Sequence, residues 1–387
     1  MSSVETLLGR EAIKALFRPA AEAKGLPGRA YTDEAFMALE NEKLFPRTWT
    51  AVGVAADIAN PGDAMPASVA VVPLVLVRDR AGVVRAFVNM CRHRAMKVVT
   101  ERCSGLQALH CPWHRWTYDL EGRLIATPNI GGVGEPSCAG FERGELGLKP
   151  VRVGVWLGTI FVNLDGKAPP LEQHVAPFVR YYADYHLGTL RHGGTRDLTV
   201  DANWKLFLES GIEDYHLPWT HPQFFTPRTN WSGRKVIDGT MVGTESRIPS
   251  ALESEGGTDA RRLPRFPAYA KNRDIGNFMA IVPNVGIAVT PDHVAVSIYQ
   301  PIRADRTYYR KDLYFIGDAA TDLALEPARQ AVYRMWDEIN DQDRDFMAPL
   351  QANHGARDRL GIANRFSPAW EGAVQRFQQL VVEGLRA

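Results

Sequence analysis

Between residues 45 and 165 the apolar positions come in short runs, among them Val69–Val77, Val83–Val88 and Trp156–Val162. Gly, Pro, Asp or Asn cut these runs apart. Runs of that length bounded by turn formers predict β-strands. From Leu171 the pattern changes. Helical spacing over 171–186 and 203–217 precedes strand-like runs near 235–245, 277–289, 293–302 and 308–317. A long helix is predicted over 323–350 and a last one over 368–386. In the long one, Val332, Met335, Trp336, Ile339, Phe346, Met347 and Leu350 recur at i, i+3, i+4 and i+7. Residues 1–44 read as helical, with an extended linker at Lys24–Tyr31. Strands first, then a mixed sheet with a long C-terminal helix, predict an α+β chain: a small β-domain joined to a larger α+β domain. The expected division is 1–44 as a helical segment packed on the larger domain, 45–165 as the β-domain, and 166–387 as the larger domain. The stretch 247–275, rich in Arg, Gly, Pro and Ser, is expected to be a long loop.

Composition narrows the classes. The 387 residues are 45% hydrophobic and 23% charged, as in ordinary globular proteins, and suffice for two domains. A net charge of +1 gives no reason to expect a nucleic-acid partner or an anionic membrane surface. No apolar run approaches the ~20 residues needed to span a bilayer. The start, MSSVETLLGREAIKALF, lacks the basic-then-apolar layout of a secretory signal. A soluble, cytoplasmic protein is expected. With four cysteines in the chain, a disulfide framework is not expected.

Two of those cysteines belong to a pattern with chemistry in it. Cys91-Arg-His93 is followed, seventeen residues on, by Cys111-Pro-Trp-His114. Each arm supplies one thiolate and one imidazole. Structural zinc also takes Cys₂His₂, but such sites usually pair Cys with Cys and His with His on separate elements. One of each per arm suits a [2Fe–2S] cluster in which two histidines replace two cysteines on one iron. Trp113 is expected as an apolar cover over that cluster, and Trp116–Leu124 as a strand, turn and strand beneath it. Cys103 and Cys138 are expected to be small buried apolar residues, and His110 to be structural.

A second constellation lies at Asn203–His221. His216 and His221 stand five apart with carboxylates just upstream, part of a 2-His-1-carboxylate set. Five residues is about 140° beyond a full helical turn, so a straight helix would not aim both at one ion. Pro218 between them is expected to break the helix and let His221 swing back. The third ligand is sought on the long helix. With Ile339 at zero, its apolar stripe runs from about −40° to +80°, and Asp343 falls inside it at about +40°. Asp337, Asp341 and Asp345 fall outside and read as a solvated acidic face. A carboxylate on a buried stripe is costly unless paired or metal-bound. Asp343 is therefore the candidate ligand, with a buried salt bridge to arginine as the alternative.

With these motifs in hand, the chain resembles the Rieske non-haem iron oxygenases, α-subunit type. The matching segments are Cys91–Arg94, Cys111–Trp116, Asn203–Lys205, Glu213–His221, and Asp343 with Gln351. The resemblance implies a Rieske β-domain, a helix-grip (START/Bet v 1-like) catalytic domain with an antiparallel sheet, and a mononuclear Fe(II) that activates O₂. It further implies a head-to-tail homotrimer in which one subunit's cluster feeds its neighbour's iron through a bridging carboxylate. Glu213 stands at the bridging position, three residues before His216. On a helix Glu213 would lie about 60° from His216 and Asp214 about 160° away. Glu213 is therefore favoured as the bridge, and Asp214 is left as the alternative or as a surface or capping residue. Glu at this position is similar to the branch acting on quaternary ammonium compounds, and GLPGRAYTD with its downstream F-x-x-E also resembles that branch. Three residues depart from the family pattern: Ala95 and Arg115 where Gly is common, and Ser210 where Asn is frequent.

The function this implies is hydroxylation of a small substrate by O₂, best matched by oxidative N-demethylation of a quaternary ammonium or related amine. Electrons would come from NAD(P)H only through a separate flavin/iron–sulfur reductase. The chain itself carries no G-x-G-x-x-G fingerprint. An aromatic or other hydrophobic substrate is the first alternative. A Rieske electron carrier without catalysis is the second. A cation-binding cage would need aromatics. Trp219, Phe224, Phe225, Trp231, Phe278 and Tyr299 lie in segments near the presumed pocket.

Overall fold

The computed structural model describes residues 3–222, 234–247, 262–270 and 275–386. The chain divides into two compact units, Phe45–Leu171 and the combination of Met1–Leu44 with Glu172–Ala387.

The first unit is built from antiparallel strands. These are β1 (Thr50–Val54), β2 (Ala64–Val69), β3 (Val72–Arg78), β4 (Val84–Val88), β5 (Leu109–His110), β6 (Thr117–Tyr118), β7 (Leu124–Ala126), β8 (Pro150–Trp156) and β9 (Thr159–Asn163). Six form a sheet in the order β1-β9-β8-β4-β3-β2, and β5-β6-β7 form a smaller one. Two of the apolar runs read as single strands prove to be hairpins. The run Val69–Val77 turns at Ala70 (φ 52°), and Trp156–Val162 turns at Leu157 (φ 46°) and Gly158 (φ 70°). Positive φ at both central residues of the second turn, and at the first central residue alone in the first turn, are the two patterns that match the twist of adjoining strands. Apolar residues at these tips hid the turns from a hydropathy reading.

The second unit opens with short helices, α1 (Val4–Leu8), α2 (Arg10–Leu16), α3 (Arg29–Thr32) and α4 (Glu34–Leu39). After α5 (Leu171–Tyr181) come β10 (Leu190–Val200), α6 (Trp204–Ser210), α7 (Leu217–Thr220) and β11 (Arg234–Asp238). The remaining elements are β12 (Met241–Arg247), β13 (Ile275–Ile281), β14 (Val285–Val289), β15 (His293–Arg303), β16 (Arg306–Ile316), α8 (Glu326–Arg357) and α9 (Gly372–Arg386). The strands make one antiparallel sheet, β10-β16-β15-β14-β13-β12-β11. β10 escaped the sequence reading because LRHGGTRDLTV is polar and sits at an edge, where only one neighbour has to be matched. Most of the expected 247–275 loop lies outside the described residues.

α8 packs on this sheet through Val332, Tyr333, Met335, Trp336 and Ile339, which share a core with Leu313 and Phe315 of β16. Burying each such side chain contributes roughly 1.5–3 kcal/mol. The stripe stops earlier than its spacing suggests: Phe346 is 53% exposed and Leu350 45% exposed. No helix among the described residues is long and apolar enough to cross a membrane.

Residues 1–44 are tied into this unit by buried polar contacts. Tyr31 Oη donates to Glu209 Oε1 at 2.9 Å, and its carbonyl accepts from Asn203 Nδ2 and Gln351 Nε2. Gly28 and Arg29 donate their backbone N–H groups to Asp358. A Cβ on Gly28 would stand 1.9 Å from the His354 carbonyl oxygen, so this approach requires glycine. Most costly is the fully buried pair Lys205 Nζ–Glu40 Oε1 at 2.7 Å, which Trp204 Nε1 completes at 3.2 Å from Glu40 Oε2. Burial pushes the Glu40 carboxyl up and the Lys205 ammonium down, and each partner opposes the other's shift. Removing one member strands a buried charge, which typically costs 3–5 kcal/mol. Lys205→Met is therefore expected to lower unfolding free energy by about that amount in a denaturant titration, while Lys205→Met with Glu40→Leu recovers most of the loss. A fall below about 1 kcal/mol for the single variant would show that the pair does not hold the segment.

Candidate metal centres

The cluster motif sits on two matching turns of the first unit. Ala95 N–H donates to Cys91 O at 2.9 Å, and Arg115 N–H to Cys111 O at 3.1 Å. Both turns end on a left-handed residue, Ala95 and Arg115, each at φ 58°. These are the two positions where the family commonly has glycine, and the backbone supplies the reason. A non-glycine residue there costs roughly 1–2 kcal/mol. The turns hold Cys91 (3% exposed) and Cys111 (1%) inside a core with Val75, Phe87, Leu109 and Tyr118. The imidazoles of His93 and His114 lie outward, with ring centroids 4.5 Å apart and planes at 78°. Trp116 stacks under His93 at 5.0 Å. Tyr118 Oη donates to Cys91 Sγ at 3.3 Å and accepts from Arg92 N–H at 2.9 Å.

Two sulfurs thus face the core and two imidazoles face out. That segregation fits a [2Fe–2S] cluster with a thiolate-bound and an imidazole-bound iron. Burial pushes the Cys91 thiol above its ordinary value, a shift that iron binding would reverse by taking the thiolate. Trp113 packs on His114 with ring centroids 4.6 Å apart and is itself 52% exposed, with the Arg94 guanidinium 4.5 Å over its ring. The expected burial of the other two cysteines fails. Cys103 is only half-buried and Cys138 is exposed, and neither forms a disulfide.

In the second unit, Asn203 caps α6 by accepting from Lys205 N–H at 3.1 Å. The helix ends at Ser210, not at 217, so Glu213, Asp214 and His216 lie on a turn rather than a helix face. Glu213 and His216 therefore share no helix face, and direct contacts set their relation. Glu213 accepts from the backbone N–H groups of Tyr215 and His216 and from His216 Nδ1. Asp214 is neither a surface nor a capping residue. It is 1% exposed, and its Oδ2 accepts from Ser246 Oγ at 2.6 Å. Burial pushes its carboxyl up, against the pull of that hydrogen bond.

His216 and His221 bracket the single turn of α7. Pro218 does not break it; it starts it, in the first turn where a missing N–H leaves nothing unpaired. His221 Nδ1 meets Gln342 Oε1 at 2.7 Å, which turns Nε2 toward Asp343 Oδ1 at 3.1 Å. His216 Nε2 lies 3.6 Å from the same oxygen. One ligand atom from each of His216, His221 and Asp343 falls within 4.8 Å of the others. Among the described residues, the ion-pair partners of Asp343 are these two imidazoles and no arginine. Of the other acids on α8, Asp337 pairs with Arg196 and Asp341 with Arg344.

The electrostatics ask for a cation at this point. Burial opposes charge on His216, yet Glu213, Asp343 and Asp214 together hold its pKa above the ordinary value. A divalent ion would satisfy that demand while leaving both imidazoles neutral. Two imidazoles and one carboxylate match the facial set of non-haem Fe(II) sites, so the residues fit the group.

Two such donor sets in one chain define a Rieske non-haem iron oxygenase. The chain belongs to the ring-hydroxylating alpha-subunit family: the model of that family's catalytic domain matches residues 187–387 and the Rieske [2Fe-2S] domain model matches residues 48–137. The glycine betaine monooxygenase oxygenase subunit of Chromohalobacter salexigens is 27% identical over 367 residues, covering 87% of this chain and 80% of that protein. A quaternary ammonium Rieske monooxygenase of carnitine oxidation by gut microbiota has a similar structure, with TM-score 0.79 at 20% identity over 96% of this chain and 98% of that one. Naphthalene 1,2-dioxygenase from Rhodococcus sp. has TM-score 0.79 at 18% identity over 100% and 99%. At these identities the structural likeness speaks for the fold.

The ligand positions lead to two measurements. Asp343→Ala is expected to drop iron from about three to about two per chain while the cluster's visible absorption remains. Retention of the third iron would remove Asp343 from the site. Ala95→Gly is expected to raise unfolding stability by about 0.5–1 kcal/mol, and Ala95→Val to lower it, since only glycine meets φ 58° without strain.

Proposed function

We propose that this oxygenase hydroxylates an N-methyl carbon of a small quaternary ammonium compound, the product then losing formaldehyde. His216, His221 and Asp343 hold the iron; Cys91, His93, Cys111 and His114 hold the cluster. The observation that carries this reading is where the three ligands converge. They line one cavity with Phe207, Tyr299 and Tyr309. Those three rings pack against one another at centroid distances of 5.7, 4.7 and 5.1 Å. Such a cluster beside a metal site suits a cation without N–H groups, held by ring faces rather than hydrogen bonds. Two of the three relatives named above, the glycine betaine monooxygenase subunit and the quaternary ammonium monooxygenase, carry names of this substrate class, while the third is named for naphthalene.

When bound, the cluster supplies single electrons from a separate reductase and the mononuclear iron supplies O₂ activation. One oxygen atom enters the C–H bond and the other leaves as water, which consumes two electrons and two protons. The chain's part is placement. Gln342 fixes the His221 ring, and Glu213 fixes His216 through Nδ1, so both Nε2 atoms face Asp343. Burial keeps the Tyr299 and Tyr309 phenols well above their ordinary pKa, so both stay neutral beside a cation.

Glu213 serves as the bridge between His216 and a cluster imidazole of a neighbouring subunit, in a head-to-tail trimer. What supports this is its direct contact with His216, which Asp214 lacks. Of the aromatics singled out in the sequence, Phe278 and Tyr299 line the cavity and Trp219 is 76% exposed. Phe224, Phe225 and Trp231 lie outside the described residues.

With a reductase supplied, trimethylammonium compounds should drive O₂ uptake with matching formaldehyde, and neutral aromatics should not. Uptake driven only by aromatics would reject the amine reading. Glu213→Gln should leave iron content unchanged but slow oxygen-dependent reoxidation of the reduced cluster by a hundredfold or more in single turnover. Unimpaired reoxidation would remove Glu213 from the electron path.

A further inference from the structure

The same cavity contains a cation of its own. Lys311, in the middle of β16, is 4% exposed and lines the pocket. Strand alternation puts it on the same face as Tyr309, two residues back, and its Nζ is 5.7 Å from that ring's centroid. It lies 3.6 Å over the Trp336 ring. Among the described residues its hydrogen bond is a donation to Asn340 Oδ1 at 2.9 Å, which leaves two of its three N–H donors over. It makes no ion pair among the described residues. Asn340 comes from α8, one turn before Asp343, and is 3% exposed. With its oxygen taken by Lys311, its amide presents Nδ2, which is buried and has no acceptor among the described residues. The pocket wall thus carries an ammonium and an amide N–H group, both buried and both short of acceptors. Unmet buried donors are costly, and a ligand that supplies acceptors recovers that cost.

We infer that Lys311 and Asn340 form an anion subsite that binds the carboxylate of a zwitterionic substrate, whose quaternary ammonium sits against Phe207, Tyr299 and Tyr309. The inference rests on the function proposed above and narrows it: the substrate is a short betaine rather than a simple cation. Two unlike subsites in one small cavity select by charge separation. A cation without the carboxylate leaves both donors unmet and places a second positive charge near Lys311. A neutral aromatic satisfies neither subsite. Burial pushes the Lys311 ammonium down to about 7, against the pull of Asp343 and Asp337, and a bound carboxylate would restore it. The same ammonium explains the face of Trp336, which Lys311 occupies and which is therefore closed to the substrate cation.

The test compares glycine betaine, L-carnitine, choline and benzoate on the intact holoenzyme and on the Lys311→Met, Lys311→Arg and Asn340→Ala variants. KM and kcat come from O₂ uptake with reductase, and binding from calorimetry without it. For Lys311→Met the ratio of the KM for the two carboxylated substrates to that for choline should rise tenfold or more, the loss falling on KM rather than kcat. Lys311→Arg should recover part of it, and Asn340→Ala should move the ratio the same way by a smaller factor. An unchanged ratio, or an equal loss for choline, overturns the subsite. If Lys311→Met does not fold, Asn340→Ala and Lys311→Arg decide by the same ratio. Benzoate separates the two readings: Lys311-dependent binding and turnover of benzoate without turnover of any betaine keeps the subsite and rejects the amine reading. Betaine turnover indifferent to Lys311 does the reverse.

Discussion

One carboxylate oxygen must face two imidazoles from a distant part of the chain, and the larger unit is organised around that requirement. Asp343 Oδ1 lies 3.1 Å from His221 and 3.6 Å from His216. Such a distance survives only if helix α8 cannot slide or rotate on the sheet. Trp336 locks it by donating Nε1 to His293 Nε2 at 2.9 Å, beneath a packed apolar stripe. The imidazoles are held just as firmly from their other ring atoms, by Gln342 and by Glu213. A metal site assembled this way spends little ordering entropy when it fills.

Buried charge is the second theme. Lys205–Glu40 and Lys311 sit where desolvation penalises them, half-buried Asp343 faces two imidazoles, and each has a different resolution. The first is paired and stitches residues 1–44 to α6. Asp343 faces donors that take a cation. Lys311 is only partly satisfied, by Asn340 and the face of Trp336. Among well-paired neighbours, incomplete satisfaction at a cavity wall marks a place shaped for something that arrives from outside.

The β unit handles its cofactor by a different device. Two turns of the same conformation deliver a thiol inward and an imidazole outward, and strain at Ala95 and Arg115 is tolerated because a buried core holds both cysteines and each turn is closed by a backbone bond, Cys91 N–H to Met96 O and Cys111 N–H to Trp116 O, both 2.8 Å. Side chains at these two positions also keep bulk, and at Arg115 charge, beside the outward imidazoles.

Much of this was legible in residue spacing. C-x-H and C-x-x-H, two histidines five apart, and an acid at the right angle on an amphipathic helix carry their chemistry in one dimension, because turns and helices repeat at fixed intervals. Sequence could not show that 203–217 stops at Ser210, that Pro218 begins a turn, or that Asp214 is buried, since each depends on what packs alongside. Nor did it single out Gln342, Asn340 and Lys311. The two helix residues flank the apolar stripe of α8, at about −60° and +100°, where polarity is ordinary. Lys311 lies in a strand run that reads as unremarkable alternation. The chain by itself determined which atoms are available for iron and where the helices and strands carry them, because ligand chemistry and backbone periodicity are local. Only the folded sheet and helix decided which polar groups share a cavity, because a pocket's charge pattern is set by neighbours far apart in sequence.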